Sequence, residues 1–206
     1  MACVGAGRNR QKSCGKATPR RSVALTAGTL LNYAPQPMTD TALATLPPLT
    51  PERPEQGGEV EGLIDVAFGP GRHAKAAERL REGNAPDLSL SRVAIEGDRV
   101  VGCSRMWPIH IGETPAILLG PFAVAPTWRS KGLGAALIAA ACEAAKAAGH
   151  HLVLLVGDAP YFDKLGFAPV DRRAVSLPGP VDMRRVLVRE LKPGAAEGLQ
   201  GPVTPG

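Results

Sequence analysis

The sequence predicts one mixed α/β domain, with an antiparallel meander ahead of a long helix and a buried strand. Three observations carry that prediction. Three β-rich runs, 91–96, 99–111 and 116–124, are separated by the short turns Gly97-Asp98 and Gly112-Glu113, the pattern of successive hairpins. Leu133 to Ala148 is almost pure helix former, with Leu133, Leu137, Ile138 and Ala141 on one stripe and Gly149 as its stop. His151 to Val156 is a continuous apolar run, as expected of a strand buried on both faces.

The other elements follow in order. Six prolines between Pro35 and Pro54 favour an extended linker and exclude a helix or central strand, so folding is expected to begin near Glu55. Val60, Leu63, Ile64, Ala67 and Phe68 recur at helical spacing, which predicts an amphipathic helix ended by Gly69-Pro70-Gly71. A second, charged helix is expected over Ala74–Arg81, closed by Gly83. Past the buried strand come a helical turn around Tyr161–Leu165 and strands near Phe167–Val175 and Met183–Leu191. The expected organisation is a disordered basic extension and linker over 1–54, a domain over 55–192 and a loose tail over 193–206.

Charge and cysteine usage exclude several functions. Of 24 basic residues six lie in 1–37, a stretch with no acid, which leaves 18 against 19 acidic groups for the rest of the chain. The folded part is close to neutral, so no nucleic-acid partner is expected of the domain itself. The basic extension reads as a disordered tail; a transit peptide, or an upstream start before Met38, are the other readings of the same composition. A chain that begins at Met38 should keep its melting temperature. Cys3, Cys14, Cys103 and Cys142 form no C-x-x-C pair and lack a histidine at ligand spacing, so neither a metal nor a disulfide framework is expected. Apolar runs such as Ala135–Cys142 fall well short of the about 20 residues that span a bilayer. No membrane association is expected, and the sparse cysteines suit a reducing, cytoplasmic setting.

The chemistry is concentrated in Gly120–Ala136, where a strand feeds a loop carrying Arg129, Lys131, Gly132 and Gly134 and then a long helix. Glycines let backbone approach an anion, and the first helical turn offers free N–H groups at the positive end of the dipole. Together they form a phosphate cradle. A Walker loop is excluded by the letters, and a dinucleotide fingerprint fails because Leu137 stands at its third glycine position. What remains is R-x-x-G-x-G-A over Arg129–Ala135.

That motif closely resembles motif A of the GNAT superfamily, the acyl-CoA-dependent N-acyltransferases. The Tyr161–Phe167 segment, Y-F-D-K-L-G-F, is similar to the family's Y-x-K-x-G-F, and Phe122–Pro126 to its lead-in strand. The resemblance implies a central, mostly antiparallel sheet flanked by helices, with two splayed strands forming an acetyl-CoA cleft. It implies acetyl-CoA as acyl-donor substrate, held by backbone of Phe122, Ala123 and Val124 and by Arg129, Ser130, Lys131, Gly132, Leu133, Gly134 and Ala135. The reaction it implies is acetyl transfer to a primary amine by direct attack, with no metal; the amine is not identified, and a homodimer is left open. A non-catalytic acyl-CoA-binding or regulatory module is the alternative, because no general base is assignable, and a third reading has the basic tail associate with nucleic acid. In most members the tyrosine that protonates the leaving thiolate stands four residues before the Gly of G-F, where this chain has Phe162. Either Tyr161 occupies the same space through a shifted turn, or Phe162 fills the cleft wall and no side chain acts as acid. Glu113 and His110 read as solvated hairpin residues, Trp107, Trp128 and Met106 as cover or core, and Cys103 and Cys142 as buried thiols rather than nucleophiles.

Overall fold

The computed structural model describes residues 45–206, and the readings made of the basic extension lie outside them. The strands are β1 (Leu49–Pro51), β2 (Arg92–Glu96), β3 (Arg99–Ile111), β4 (Thr114–Val124), β5 (Leu152–Val156), β6 (Ala168–Pro169), β7 (Val175–Ser176), β8 (Val186–Glu190) and β9 (Gly201–Pro205). The helices are α1 (Gly57–Phe68), α2 (Ala76–Arg79), α3 (Leu133–Ala147) and α4 (Ala159–Phe162). The sheet runs β1-β2-β3-β4-β5-β8-β6, antiparallel throughout except where β5 lies parallel to β4. Both hairpins close through two-residue loops whose first residue is glycine at positive φ, 62° at Gly97 and 57° at Gly112.

The α3 stripe read from the sequence is the face that packs: Leu133, Leu137, Ile138 and Ala141 are fully buried against one side of the sheet. On the opposite side Val60 and Ile64 of α1 pack against Val93, Cys103 and Ala123. Each such aliphatic side chain contributes roughly 1.5 to 3 kcal/mol by leaving water. The charged helix expected over Ala74–Arg81 is shorter than its pattern, a 3-10 stretch Pro70–Ala74 followed by the single turn of α2.

Two segments expected outside the domain belong to it. β1, inside the proline-rich stretch, pairs with β2, and Glu52 just after it reaches Arg105 of β3 at 2.6 Å. At the other end β9 pairs with β3 at Ile109–Ile111, and Val203 is buried. The long β3 explains the second of these. β2 covers its edge only from Arg99 to Ser104, and β9 pairs with it farther on, at Ile109–Ile111. Proline removes a ladder donor and so reads as linker, but on an edge strand the missing N–H faces outward and costs nothing.

Candidate active-site cleft

β4 and β5 pair only at Ile117–Val153 and Leu118–Leu154. Beyond those rungs β4 continues to Val124, held by β3 alone, and the strands diverge around a cleft of about 940 Å³. Backbone groups along that edge of β4 face the cleft instead of a neighbouring strand.

A bulge sets which side chains face it. Ser104 pairs with Phe122 and Met106 with Leu119, so Gly120-Pro121 stands opposite Arg105 alone. The extra residue inverts the alternation of β4. Leu119 packs with α3 before the bulge, and Phe122 and Val124 do so after it, while Ala123 turns to α1. Proline is tolerated here, inside a central strand, because the bulge asks for no ladder bond.

At one end of the cleft the site is built of backbone. Ser130 and Gly132 take left-handed φ of 60° and 86°, turning the loop into α3. The N–H of Ala136 bonds the Gly132 carbonyl at 3.1 Å, and the N–H groups of Leu133, Gly134 and Ala135 precede it. No side chain caps this helix. The end is therefore a set of uncompensated donors at the positive pole of a 15-residue helix. A Cβ on Gly134 would come 3.1 Å from the Tyr161 hydroxyl and 3.7 Å from the Phe122 ring, so only glycine leaves this approach open.

Of the residues predicted from the sequence, Phe122, Ala123, Val124, Arg129, Ser130, Gly132, Gly134, Ala135 and Tyr161 line the cleft. Two do not. Lys131 lies over the Trp128 ring at 5.0 Å, and the Leu133 side chain is fully buried beneath the helix, leaving its N–H to the loop. The Tyr161 ring stacks on Phe122, with centroids 6.5 Å apart and planes at 4°, and carries its hydroxyl over the start of α3. Burial pushes its pKa above the ordinary value, so the phenol keeps its proton at neutral pH. Phe162 is buried, edge-on to Phe122 and Phe167, with its ring against Gly157. Phe162 and Tyr161 thus both line the cleft, the first as buried wall and the second with its hydroxyl near the start of α3.

His110 and Glu113 are exposed and do not line the cleft. Met106 and Trp107 are core, whereas Trp128 forms part of the cleft wall and donates from Nε1 to Glu96 at 3.1 Å. Burial raises the thiols of Cys103 to about 12 and Cys142 to about 11, far from nucleophilic.

Sequence reasoning missed the end of the cleft where Arg72 and Arg81 approach each other, and missed Arg185, which lines the same cleft. These come from three separate segments, and no spacing joins them. Arg72 is held by Glu61 at 2.7 Å and Asp65 at 2.8 Å, and Arg185 donates to the Gly157 carbonyl at 3.3 Å. Among the described residues there is no group of three His, Cys, Asp or Glu placed to hold a metal, and no helix is long and apolar enough to cross a membrane.

Residues 89–169 match the family model described as an acetyltransferase (GNAT) domain. Among solved structures, a GNAT family N-acetyltransferase from Escherichia coli in complex with CoA is similar at 22% identity, with a TM-score of 0.67 over 78% of this chain and 90% of that one. A GNAT family acetyltransferase from Brucella melitensis in complex with acetyl-CoA is similar at 23% identity, with a TM-score of 0.56 over 77% and 95%. No match was found among curated proteins.

Proposed function

We propose, from the match of residues 89–169 to a GNAT acetyltransferase domain, that the chain is an N-acetyltransferase transferring the acetyl group of acetyl-CoA to a primary amine by direct attack. The observation that carries this reading is the divergence of β4 from β5, which opens a cleft directly onto the uncapped start of α3. The two similar structures, which hold CoA and acetyl-CoA, support it.

The residues divide the work by position. The N–H groups of Leu133, Gly134 and Ala135, with the Arg129 guanidinium nearby, receive the diphosphate. The unpaired edge of β4 from Val124 towards Gly120 offers its amides to the pantetheine arm as it would to an added strand. An N–H of that edge also receives the carbonyl oxygen as it gains charge. In the transfer the amine lone pair forms the C–N bond, the C–S bond breaks with its electrons on sulfur, and one amine proton is released. Tyr161, holding its proton, donates to the departing thiolate. The two buried, unpaired thiols suit work in the cytoplasm.

The test is twofold. Calorimetry should show binding of acetyl-CoA, and a thiol-release assay should show turnover that depends on added amine. Binding without turnover across a broad amine panel would support the alternative, a non-catalytic acyl-CoA-binding module; absence of binding would remove the site itself.

A further inference from the structure

The arginine end of the cleft is not explained by the donor substrate, since it lies across the sheet from the glycine loop. Arg81 is its most constrained member. Its side chain is 12% exposed, and Nη1 is held by Glu78 at 2.7 Å. Nη2 stands at the bulge, 3.5 Å from where a Cβ on Gly120 would be. Nε is buried without a hydrogen-bond partner. Nε and Nη2 form one edge of the guanidinium fork, so the edge turned from Glu78 towards the bulge is the one left unsatisfied. A buried donor without a partner is costly, and an apolar side chain would pack there without that cost. Desolvation lowers the pKa of this arginine, which remains charged.

We propose, resting on the acetyltransferase reading, that the acceptor amine carries a carboxylate and that this edge of Arg81 anchors it. The fork matches a carboxylate in two parallel bonds. The neighbouring charges favour a monoanion over a phosphate dianion. Glu78 already shares Arg81, Glu61 and Asp65 occupy Arg72, and Asp182 on the cleft wall is engaged by Arg184 at 2.7 Å. Gly120 and Phe122, two positions apart across the bulge, both line the cleft and lie within one small molecule's reach of each other. That reach suits a small amino acid, its carboxylate at Arg81 and its amine in the gap between the strands.

The experiment compares free L-amino acids of each side-chain class with their carboxamides, titrated into the full chain in the presence of CoA and assayed for kcat/KM with acetyl-CoA. The carboxamide amine is the less basic, so availability of the free amine alone would favour it. The expected result is a preference for the acids of roughly 10- to 100-fold, the range of a charge-assisted pair. Arg81→Met should erase that preference, and Arg81→Lys, which keeps the charge without the fork, should restore part of it. Equal treatment of acids and carboxamides by the wild type, or binding of neither, overturns the inference. A failure of acetyl-CoA itself to bind would overturn the acetyltransferase reading instead, and the calorimetric titration with acetyl-CoA separates the two.

Discussion

The two ends of the cleft are made of different material. At the α3 end the recognising groups are backbone N–H donors, and the side chains around them serve to stay small or out of the way: Gly132 to turn, Gly134 to admit, Leu133 to pin the helix from beneath. At the arginine end the backbone does little, and guanidinium groups from separate segments converge under the control of Glu61, Asp65 and Glu78. Backbone recognition needs a local conformation, which a short motif can encode. Side-chain recognition needs distant segments to meet, which it cannot.

The sharpest way to break the contrast is to fill the backbone end. Gly134→Val should reduce acetyl-CoA affinity on the order of 100-fold or more, because its side chain would enter the approach that glycine leaves open, while the circular dichroism spectrum stays native. Unchanged affinity in a folded variant would remove the glycine loop from the site. Next in size is Tyr161→Phe. Loss of a general acid should lower kcat by about 100-fold, at the lower end of the usual range, because a thiolate also leaves unaided. Acetyl-CoA affinity should change little. The alkaline fall in rate expected as Tyr161 loses its proton, above its ordinary pKa, should vanish in that variant. If Tyr161→Phe keeps wild-type turnover and Phe162→Tyr gains, Tyr161 is not the acid.

Arg129 tests how far the backbone end depends on side-chain charge. It is exposed and donates to the Val124 carbonyl at 3.3 Å, so Arg129→Ala should cost about tenfold in acetyl-CoA affinity at low salt and less as ionic strength rises. A much larger loss would show that the cradle is not chiefly backbone. The smallest effect concerns Cys103, on the strand that carries Arg105. Its folded pKa of about 12 stands above the ordinary thiol value of 9.0, so its contribution to stability is complete below pH 9.0 and is lost as pH rises towards 12. Cys103→Ala should flatten that part of the stability profile in denaturant melts, and iodoacetamide should leave Cys103 and Cys142 unlabelled in the native protein at neutral pH.

The sequence by itself determined the elements whose periodicity is local. The stripe of α3, the hairpin glycines and the buried run of β5 are all where their patterns place them, because 3.6- and 2-residue periods and positive φ are properties of neighbouring residues. It also determined the glycine loop before α3, since a glycine-rich turn into a helix builds its donors from one stretch of chain. Tertiary structure decided the rest. The strands β1 and β9 read as linker and tail because their prolines weaken a strand pattern, and only the assembled sheet gave those prolines an edge to sit on, β2 for β1 and the free length of β3 for β9. The bulge at Gly120-Pro121 decided which β4 side chains face α3, through a register that exists only once β3 is paired. The gathering of Arg72, Arg81 and Arg185 onto the wall of one cleft is of the same kind, set by packing between separate segments and carrying no signal that spacing could reveal.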